Sequence, residues 1–211
     1  MQLRNILIVI SMVFALAACQ SMGGGQASEE EKAAALAEFS QPQDLFTPHP
    51  EPTPVSEAPP ADLWERIRQG LTWQDIHNAQ IGRERDRILA QHNYLPLVSE
   101  RASLYLYYIV EEVERRGLPM EVALLPLVES LLNPFAYSSE HAAGLWQIMP
   151  ATGRELGLER DWWFDGRRDL RDSTRVALDY LEYLHRSLDD DWLLALAAYN
   201  SGKARVRRAQ R

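Results

Sequence analysis

From Asp62 to the C-terminus, apolar residues recur at the spacing of helix turns, and no stretch alternates in polarity as a half-buried strand does. Pro96 begins the longest helical pattern, and Gly117 ends it in the position expected of a helix C-cap. Farther along, Asp172 or Ser173 can cap a helix whose apolar residues form one stripe: Ala177, Tyr180, Leu181, Leu184 and Leu188. The sequence therefore predicts an all-α domain.

Shorter helical segments surround the long one. Leu63, Trp64 and Ile67 suit a first short helix, and residues 83–91 suit a second. Pro119 is expected to begin the segment after Gly117, because proline is favoured at the first position of a helix.

The charge balance and the histidines narrow the range of partners. The chain carries 22 basic and 30 acidic residues, a formal net charge of -8, whereas a nucleic-acid-binding surface needs a basic face. The five histidines are scattered, without metal-ligand spacing to one another or to the single cysteine. No glycine-rich loop lies between a strand and a helix as a phosphate-binding loop does. We therefore expect no nucleic-acid partner, no metal and no cofactor.

The N-terminus has the pattern of an export signal. Arg4 precedes an apolar run, Ile6–Ala18, which is too short to cross a hydrocarbon layer of about 30 Å. The run ends in Leu-Ala-Ala-Cys19, which resembles the lipobox of bacterial lipoproteins, where the cysteine is acylated after cleavage. The alternative is a plain signal peptide with an incidental cysteine. We expect a signal peptide over residues 1–18 and a lipid anchor on Cys19. Gln20 is not Asp, and the resemblance to lipoprotein sorting signals then implies the outer membrane, facing the periplasm.

Residues 19–60 have the composition of a flexible tether. Three glycines are followed by a series of prolines, which favour extended backbone and cannot build a core: Pro42, Pro48, Pro50, Pro52, Pro54, Pro59 and Pro60. The segment is expected to act as a spacer between the membrane and the helical domain.

One apolar segment carries a single charge. Val122–Leu132 is apolar on every side and is predicted to be a buried helix that Pro126 kinks. Glu129 is its only ionisable residue, and burial raises the pKa of a carboxyl. A carboxyl that stays protonated near neutral pH suits a general acid. The alternative is a glutamate at a helix end that pairs with an arginine or faces water.

Three motifs follow in a fixed order. They are Glu129-Ser130, Gly-Leu-Trp146-Gln147 and Ala-Tyr199-Asn200. This arrangement resembles the lytic transglycosylase family, and Leu-Pro-Leu-Val-Glu-Ser is most similar to its membrane-bound D type. The resemblance implies a lysozyme-like helical fold, with a helical extension over residues 61–116 and a catalytic domain over residues 117–211.

The resemblance also implies roles for individual residues. Glu129 would be the one essential acid and base. The other matching residues would bind or position the substrate: Ser130, Ser138, Gln147, Tyr199 and Asn200. Trp146 has a competing interpretation as a core residue.

The implied reaction uses one carboxylate. Glycosidases ordinarily flank the scissile bond with two carboxyl groups. The nearest candidates for a second one are better interpreted as loop, turn and cap residues: Asp161, Asp165, Asp169 and Asp172. The family instead cleaves the bond between N-acetylmuramic acid and N-acetylglucosamine in peptidoglycan without water, and forms a 1,6-anhydro end.

Two alternatives remain open from the sequence. A goose-type lysozyme would share the fold and the glutamate but hydrolyse the bond, and a peptidoglycan-binding lipoprotein would bind without turnover. The sequence also stops at Arg211, soon after the last motif, where family members usually continue with a further helix. A truncated catalytic domain is therefore expected, and the sequence identifies no protein partner.

Overall fold

The computed structural model describes residues 62–73 and 79–211. The predicted signal peptide, Cys19 and the proline-rich tether lie outside these residues. The described residues fall into two compact units. The first comprises residues 62–73 and 79–133, and the second comprises residues 134–211.

The first unit consists of helices of increasing length followed by two short ones. The long helix begins at Tyr94, two residues before the predicted start at Pro96. Pro96 is tolerated there because a proline in the first turn removes no helical hydrogen bond. The elements are α1 (Leu63–Gly70), α2 (Ala79–Leu89), α3 (Tyr94–Arg115), a 3-10 helix (Met120–Leu124) and α4 (Leu125–Ser130).

The predicted C-cap at Gly117 is confirmed. Gly117 has φ of 65°, a conformation that glycine adopts without the steric cost of a Cβ atom. Its N–H donates to the carbonyl of Glu114 at 2.9 Å, and the N–H of Leu118 donates to the carbonyl of Val113 at 3.0 Å. This pair of bonds is the Schellman motif, which satisfies carbonyls at the helix end.

The core of the first unit lies between α3 and the 3-10 helix. The two elements pack together, and the 3-10 residues Val122, Ala123 and Leu124 are fully buried. The buried residues of α3 recur at helical spacing: Val98, Ala102, Leu106, Ile109, Val110 and Val113.

A buried carboxylate fastens the segment after α1 to this core. Glu121 is 0% exposed, and its Oε1 accepts hydrogen bonds from the backbone N–H groups of Thr72 at 2.6 Å and Trp73 at 2.7 Å. The Thr72 hydroxyl donates to the same carboxylate. Hydrogen bonds to a charged acceptor are the stronger ones, which explains how a carboxylate can lie in an apolar core.

The second unit begins with a long loop and continues as helices. They are α5 (Pro150–Glu155), α6 (Leu170–Ser187), α7 (Trp192–Ser201) and α8 (Lys203–Ala209). Helix α7 packs against both α6 and α8. The predicted apolar stripe of α6 is confirmed, since all five of its residues are buried.

The predicted cap of α6 at Asp172 or Ser173 is wrong. The cap is Asp169, whose side chain accepts from the backbone N–H groups of Arg171 at 2.8 Å and Asp172 at 2.9 Å. Asp172 lies in the first turn instead. Leucine and arginine are good helix formers, so the helix extends back through Leu170 to the preceding aspartate.

The all-α prediction is confirmed for the described residues. Within them β pairing is limited to isolated bridges, such as Tyr137 with Ala143 and Arg160 with Asp165. None of the helices in this part of the chain combines the length and apolar character needed to span a bilayer.

Candidate active site

Glu129 lies in the last turn of α4, in the first unit. The predicted continuous helix with a kink at Pro126 is wrong, because the chain forms a 3-10 helix up to Leu124 and starts α4 at Leu125. Pro126 therefore occupies the first turn of α4, where its missing N–H costs no bond. The expected burial holds through Leu127, whereas Glu129 itself is half-buried.

The helix ends in a strained turn directly after Glu129 and Ser130. Leu131 has φ of 53° and Leu132 has φ of 54°, a left-handed conformation that costs about 1 kcal/mol or more for each non-glycine residue. The turn is held by the N–H of Leu132, which donates to the carbonyl of Pro126 at 3.1 Å, and by the full burial of Leu132. Arg101 Nη1 donates to the carbonyl of Leu131 at 3.1 Å. Such strain persists where surrounding contacts over-determine it, and it is concentrated at functional sites.

Ser130 holds the same turn through its side chain. Its hydroxyl donates to the carbonyl of Pro126 at 3.1 Å and accepts from the N–H of Asn133 at 3.3 Å. The serine of the Glu-Ser pair thus fixes the direction in which the chain leaves the helix that carries Glu129.

The remaining candidates lie in the second unit, two of them in the loop before α5. Ser138 Oγ accepts from the N–H of Ala142 at 3.0 Å, and the N–H of Ser138 donates to the carbonyl of Ala142 at 3.0 Å. Gln147 has φ of 48°, and its Nε2 donates to the carbonyl of Gly144 at 2.9 Å. Both side chains are half-buried, so they are ordered by the loop and still partly accessible.

A glycine is required at the centre of this loop. Gly144 has φ of 82°, and a Cβ atom added there would lie 1.9 Å from the backbone oxygen of Arg167. Only a residue without a side chain permits this approach. The Gly-Leu-Trp-Gln motif therefore begins with a residue that serves backbone packing.

The buried side chain of Arg167 binds backbone carbonyls of this loop and holds it in place, a role that the sequence did not predict. The side chain is 2% exposed, and its Nη1 donates to the carbonyls of His141 at 2.8 Å and Ile148 at 3.1 Å. Its Nε and Nη2 donate to the two carboxylate oxygens of Asp165 at 2.9 Å and 2.7 Å. The only signal in the sequence is the closely spaced Asp165-Gly-Arg167 pair, which does not reveal the two carbonyls.

The Asp165–Arg167 pair makes stability depend on pH. Hydrogen bonds from Arg167 hold the pKa of the Asp165 carboxyl below its ordinary value. The pair therefore stabilises the fold fully above the unfolded-state pKa of about 4, and this contribution is lost as the pH falls through the lower folded-state pKa.

We expect Asp165→Asn to lower the free energy of unfolding at neutral pH and to differ progressively less from the wild type below about pH 4. Denaturant unfolding followed by circular dichroism across this range checks the expectation. A difference that stays constant from neutral to acid pH would contradict it.

Trp146 is a core residue, which confirms the competing interpretation of this position. It is 0% exposed, and its Nε1 donates to Thr174 Oγ1 at 3.0 Å. Its backbone carbonyl accepts from the Tyr199 hydroxyl at 2.8 Å. The structure thus brings Tyr199 of α7 to the Trp146-Gln147 loop, and Asn200, half-buried, follows on the same helix.

Strained backbone is concentrated around the predicted motifs. In the described part of the chain, four of the six non-glycine residues with positive φ lie between 131 and 147: Leu131, Leu132, His141 and Gln147. Residues 62–73 and 79–211 contain no group of three or more potential metal ligands.

Comparison with known proteins adds the decisive observation. Residues 107–211 match the Transglycosylase SLT domain. The chain belongs to the lytic transglycosylase family. Every described candidate residue, from Glu129 to Asn200, falls within the segment that matches this family.

Two kinds of relatives are similar to the chain. It is 44% identical over 155 residues to the membrane-bound lytic murein transglycosylase D of Escherichia coli K12. The aligned residues make up 74% of this chain and 34% of the relative. It is 55% identical over 111 residues to a putative tributyltin chloride resistance protein of Alteromonas sp. strain M-1. This alignment covers 53% of this chain and 54% of the relative. The chain thus spans about a third of the length of the first lytic transglycosylase relative.

Proposed function

We propose that this lytic transglycosylase cleaves peptidoglycan glycan strands between N-acetylmuramic acid and N-acetylglucosamine without water and leaves 1,6-anhydro ends. The observation that carries the proposal is the position of Glu129, the one carboxylate of the short helix α4, in its last turn and beside a strained turn, inside the segment that matches the SLT domain. The name of the Escherichia coli relative supports the choice of murein as substrate.

The local structure also supports a reaction with one carboxylate. The aspartates between 161 and 169 are engaged in holding the backbone. Asp161 accepts from the N–H groups of Trp163 and Phe164, both at 2.7 Å. Asp165 pairs with Arg167, and Asp169 caps α6. Carboxylates committed in this way are poorly suited to serve as a nucleophile or to activate water.

Glu129 acts twice in the proposed mechanism. As a carboxylic acid it protonates the glycosidic oxygen, and an oxocarbenium-like centre develops at C1 of the muramic acid. The acetamido oxygen of the same sugar stabilises this centre. The Glu129 carboxylate then removes the proton of the C6 hydroxyl, whose oxygen bonds to C1. The proton that the glutamate gave to the leaving oxygen is thereby replaced, so the residue is regenerated.

Five residues are proposed to bind or position the glycan: Ser130, Ser138, Gln147, Tyr199 and Asn200. The Ser138 hydroxyl accepts one bond within its loop and retains its own hydrogen for donation. The amide of Asn200 can bond an N-acetyl group, which offers both a donor and an acceptor. Tyr199 and Gln147 are each held by a backbone carbonyl of the Gly-Leu-Trp-Gln motif.

We further propose that the protein works at the cell envelope, anchored by a lipid on Cys19 to the outer membrane and facing the periplasm. The lipobox-like residues and the proline-rich tether support this placement, as does the membrane-bound character named for the Escherichia coli relative. The peptidoglycan strand and the membrane are then the two partners of the chain.

Mass spectrometry of muropeptides released from purified sacculi tests the activity. We expect the wild-type protein to release products with 1,6-anhydro-muramyl ends, two hydrogens and one oxygen lighter than the hydrolysis products. Reducing ends would instead identify a lysozyme-like hydrolase. Binding to sacculi with no released product would identify a binding protein without turnover.

A further inference from the structure

Two adjacent tryptophans are almost fully exposed in the second unit. Trp162 and Trp163 are 79% and 78% exposed, and their ring centroids lie 3.6 Å apart. Phe164, next to them, is 42% exposed. Tryptophan side chains are highly buried on average in folded proteins. A contiguous patch of exposed apolar side chains is therefore typical of an interaction site.

The segment that carries these rings is held rigidly. Asp161 Oδ1 accepts from the N–H groups of Trp163 and Phe164, and the N–H of Asp161 donates to the carbonyl of Phe164 at 2.9 Å. At the base of the segment, the N–H of Gly166 donates to the carbonyl of Glu159 at 2.9 Å. The backbone of this aromatic hairpin, residues 159–166, is thus ordered in advance, which lowers the entropic cost of binding.

The aromatic hairpin is also fixed to the loop that carries Ser138 and Gln147. Asp165, at its base, forms the two-bond ion pair with the buried Arg167. The same guanidinium donates to the carbonyls of His141 and Ile148 in that loop. The two tryptophans and the loop therefore belong to one connected structure within the second unit.

The charge of the aromatic hairpin selects among possible partners. The Asp165 carboxylate is neutralised by Arg167, which leaves two carboxylates and one guanidinium in residues 159–166: Glu159 and Asp161 with Arg160. Anionic lipid surfaces and nucleic acids are bound by clusters of basic residues, and the aromatic hairpin has a single one, so its charge disfavours both. An uncharged sugar ring fits better, because its C–H groups carry partial positive charge and pack against the negative face of an indole ring.

We propose that Trp162 and Trp163 form a second binding platform for the glycan strand, on which N-acetylhexosamine rings stack, in addition to the residues assigned to binding above. The choice of peptidoglycan glycan as the ligand rests on the proposed function. A polymer held at a second point is retained at high effective concentration, so the platform increases affinity for long strands and insoluble sacculi.

The test compares two double variants of the full chain. Trp162→Ala with Trp163→Ala removes the platform. Leu104→Ala with Tyr107→Ala is the matched control, since these side chains are exposed apolar residues of α3 in the first unit, 66% and 60% exposed. Cosedimentation with purified sacculi is expected to show about a tenfold loss of affinity for the tryptophan variant, equal to roughly 1.4 kcal/mol, and no change for the control.

One outcome of this test and two further measurements can support or overturn the proposal. Phenylalanine at both positions is expected to restore most of the affinity, because the flat aromatic face is kept. Unchanged sacculus affinity in the alanine variant would overturn the platform. The platform would also be overturned if the alanine variant lost binding to phosphatidylglycerol-containing vesicles but kept its affinity for sacculi. This result would identify a lipid-binding surface instead.

The experiment is independent of the reaction chemistry. The same binding comparison in a Glu129→Gln background needs no turnover, so it measures the platform whether the products are anhydro ends, reducing ends or none. Loss of sacculus binding together with anhydro products from the wild type supports both proposals. Loss of binding with no product from any variant supports the platform and contradicts the transglycosylase proposal alone.

Discussion

Glu129→Gln is expected to reduce the release of anhydro-ended muropeptides from sacculi by on the order of 10³-fold, the typical contribution of a general acid and base. The amide has nearly the size of the carboxyl group, so the half-buried position in the last turn of α4 should be filled without repacking. It can neither protonate the glycosidic oxygen nor accept the C6 hydroxyl proton. The chemical step should therefore fail while the fold and the affinity for sacculi remain.

The matched control for this variant is Glu100→Gln. Glu100 is an exposed residue of α3 in the same unit, and its substitution makes the same change of charge. Quantitative mass spectrometry of muropeptides gives the rate, and thermal unfolding verifies that both variants fold. Anhydro products from Glu129→Gln at near wild-type rate would remove Glu129 from the mechanism.

Arg167→Met is expected to lower the free energy of unfolding by about 3–5 kcal/mol, the usual cost of removing one partner of a buried ion pair. Methionine fills part of the volume but leaves the Asp165 carboxylate without its two strong donors. The carbonyls of His141 and Ile148 lose the same partner. The loss combines an unpaired charge with unsatisfied buried acceptors, which makes it larger than that of an ordinary surface substitution.

Arg160→Met is the control for this prediction. Arg160 lies 3.8 Å from the same carboxylate, but its side chain is 54% exposed, so its loss should cost less than about 1 kcal/mol. Denaturant unfolding measures both variants. The Arg167→Met and Asp165→Asn effects should also be strongly non-additive in the double variant, because each removes the same interaction. A loss below 1 kcal/mol for Arg167→Met would contradict the role assigned to this side chain.

Features that depend on neighbouring residues could be predicted from the sequence. The apolar stripe of α6 follows from periodicity, because helix geometry alone decides which residues share a face. Gly117 could be recognised as a C-cap because its conformation depends on a few adjacent residues. The same local reasoning drew attention to Glu129, the one charge in an apolar segment.

The errors occurred where local signals compete. Asp169, Asp172 and Ser173 are all good caps, and their order of preference does not determine which one stands at the start of α6. Pro126 can kink a helix or begin one. In the structure Pro126 lies in the first turn of a new helix, because the residues before it form a buried 3-10 helix that packs in the core of the first unit.

By itself, the sequence determined the helical architecture, the buried faces and the motifs that place the chain in its family, because these depend on residues a few positions apart. The tertiary structure alone decided how buried charges are satisfied. Glu121 binds backbone groups 48 and 49 residues away, and Arg167 binds carbonyls 26 and 19 residues away. A carbonyl or N–H group is present at almost every position of the chain, so no sequence pattern identifies such partners before folding brings them together.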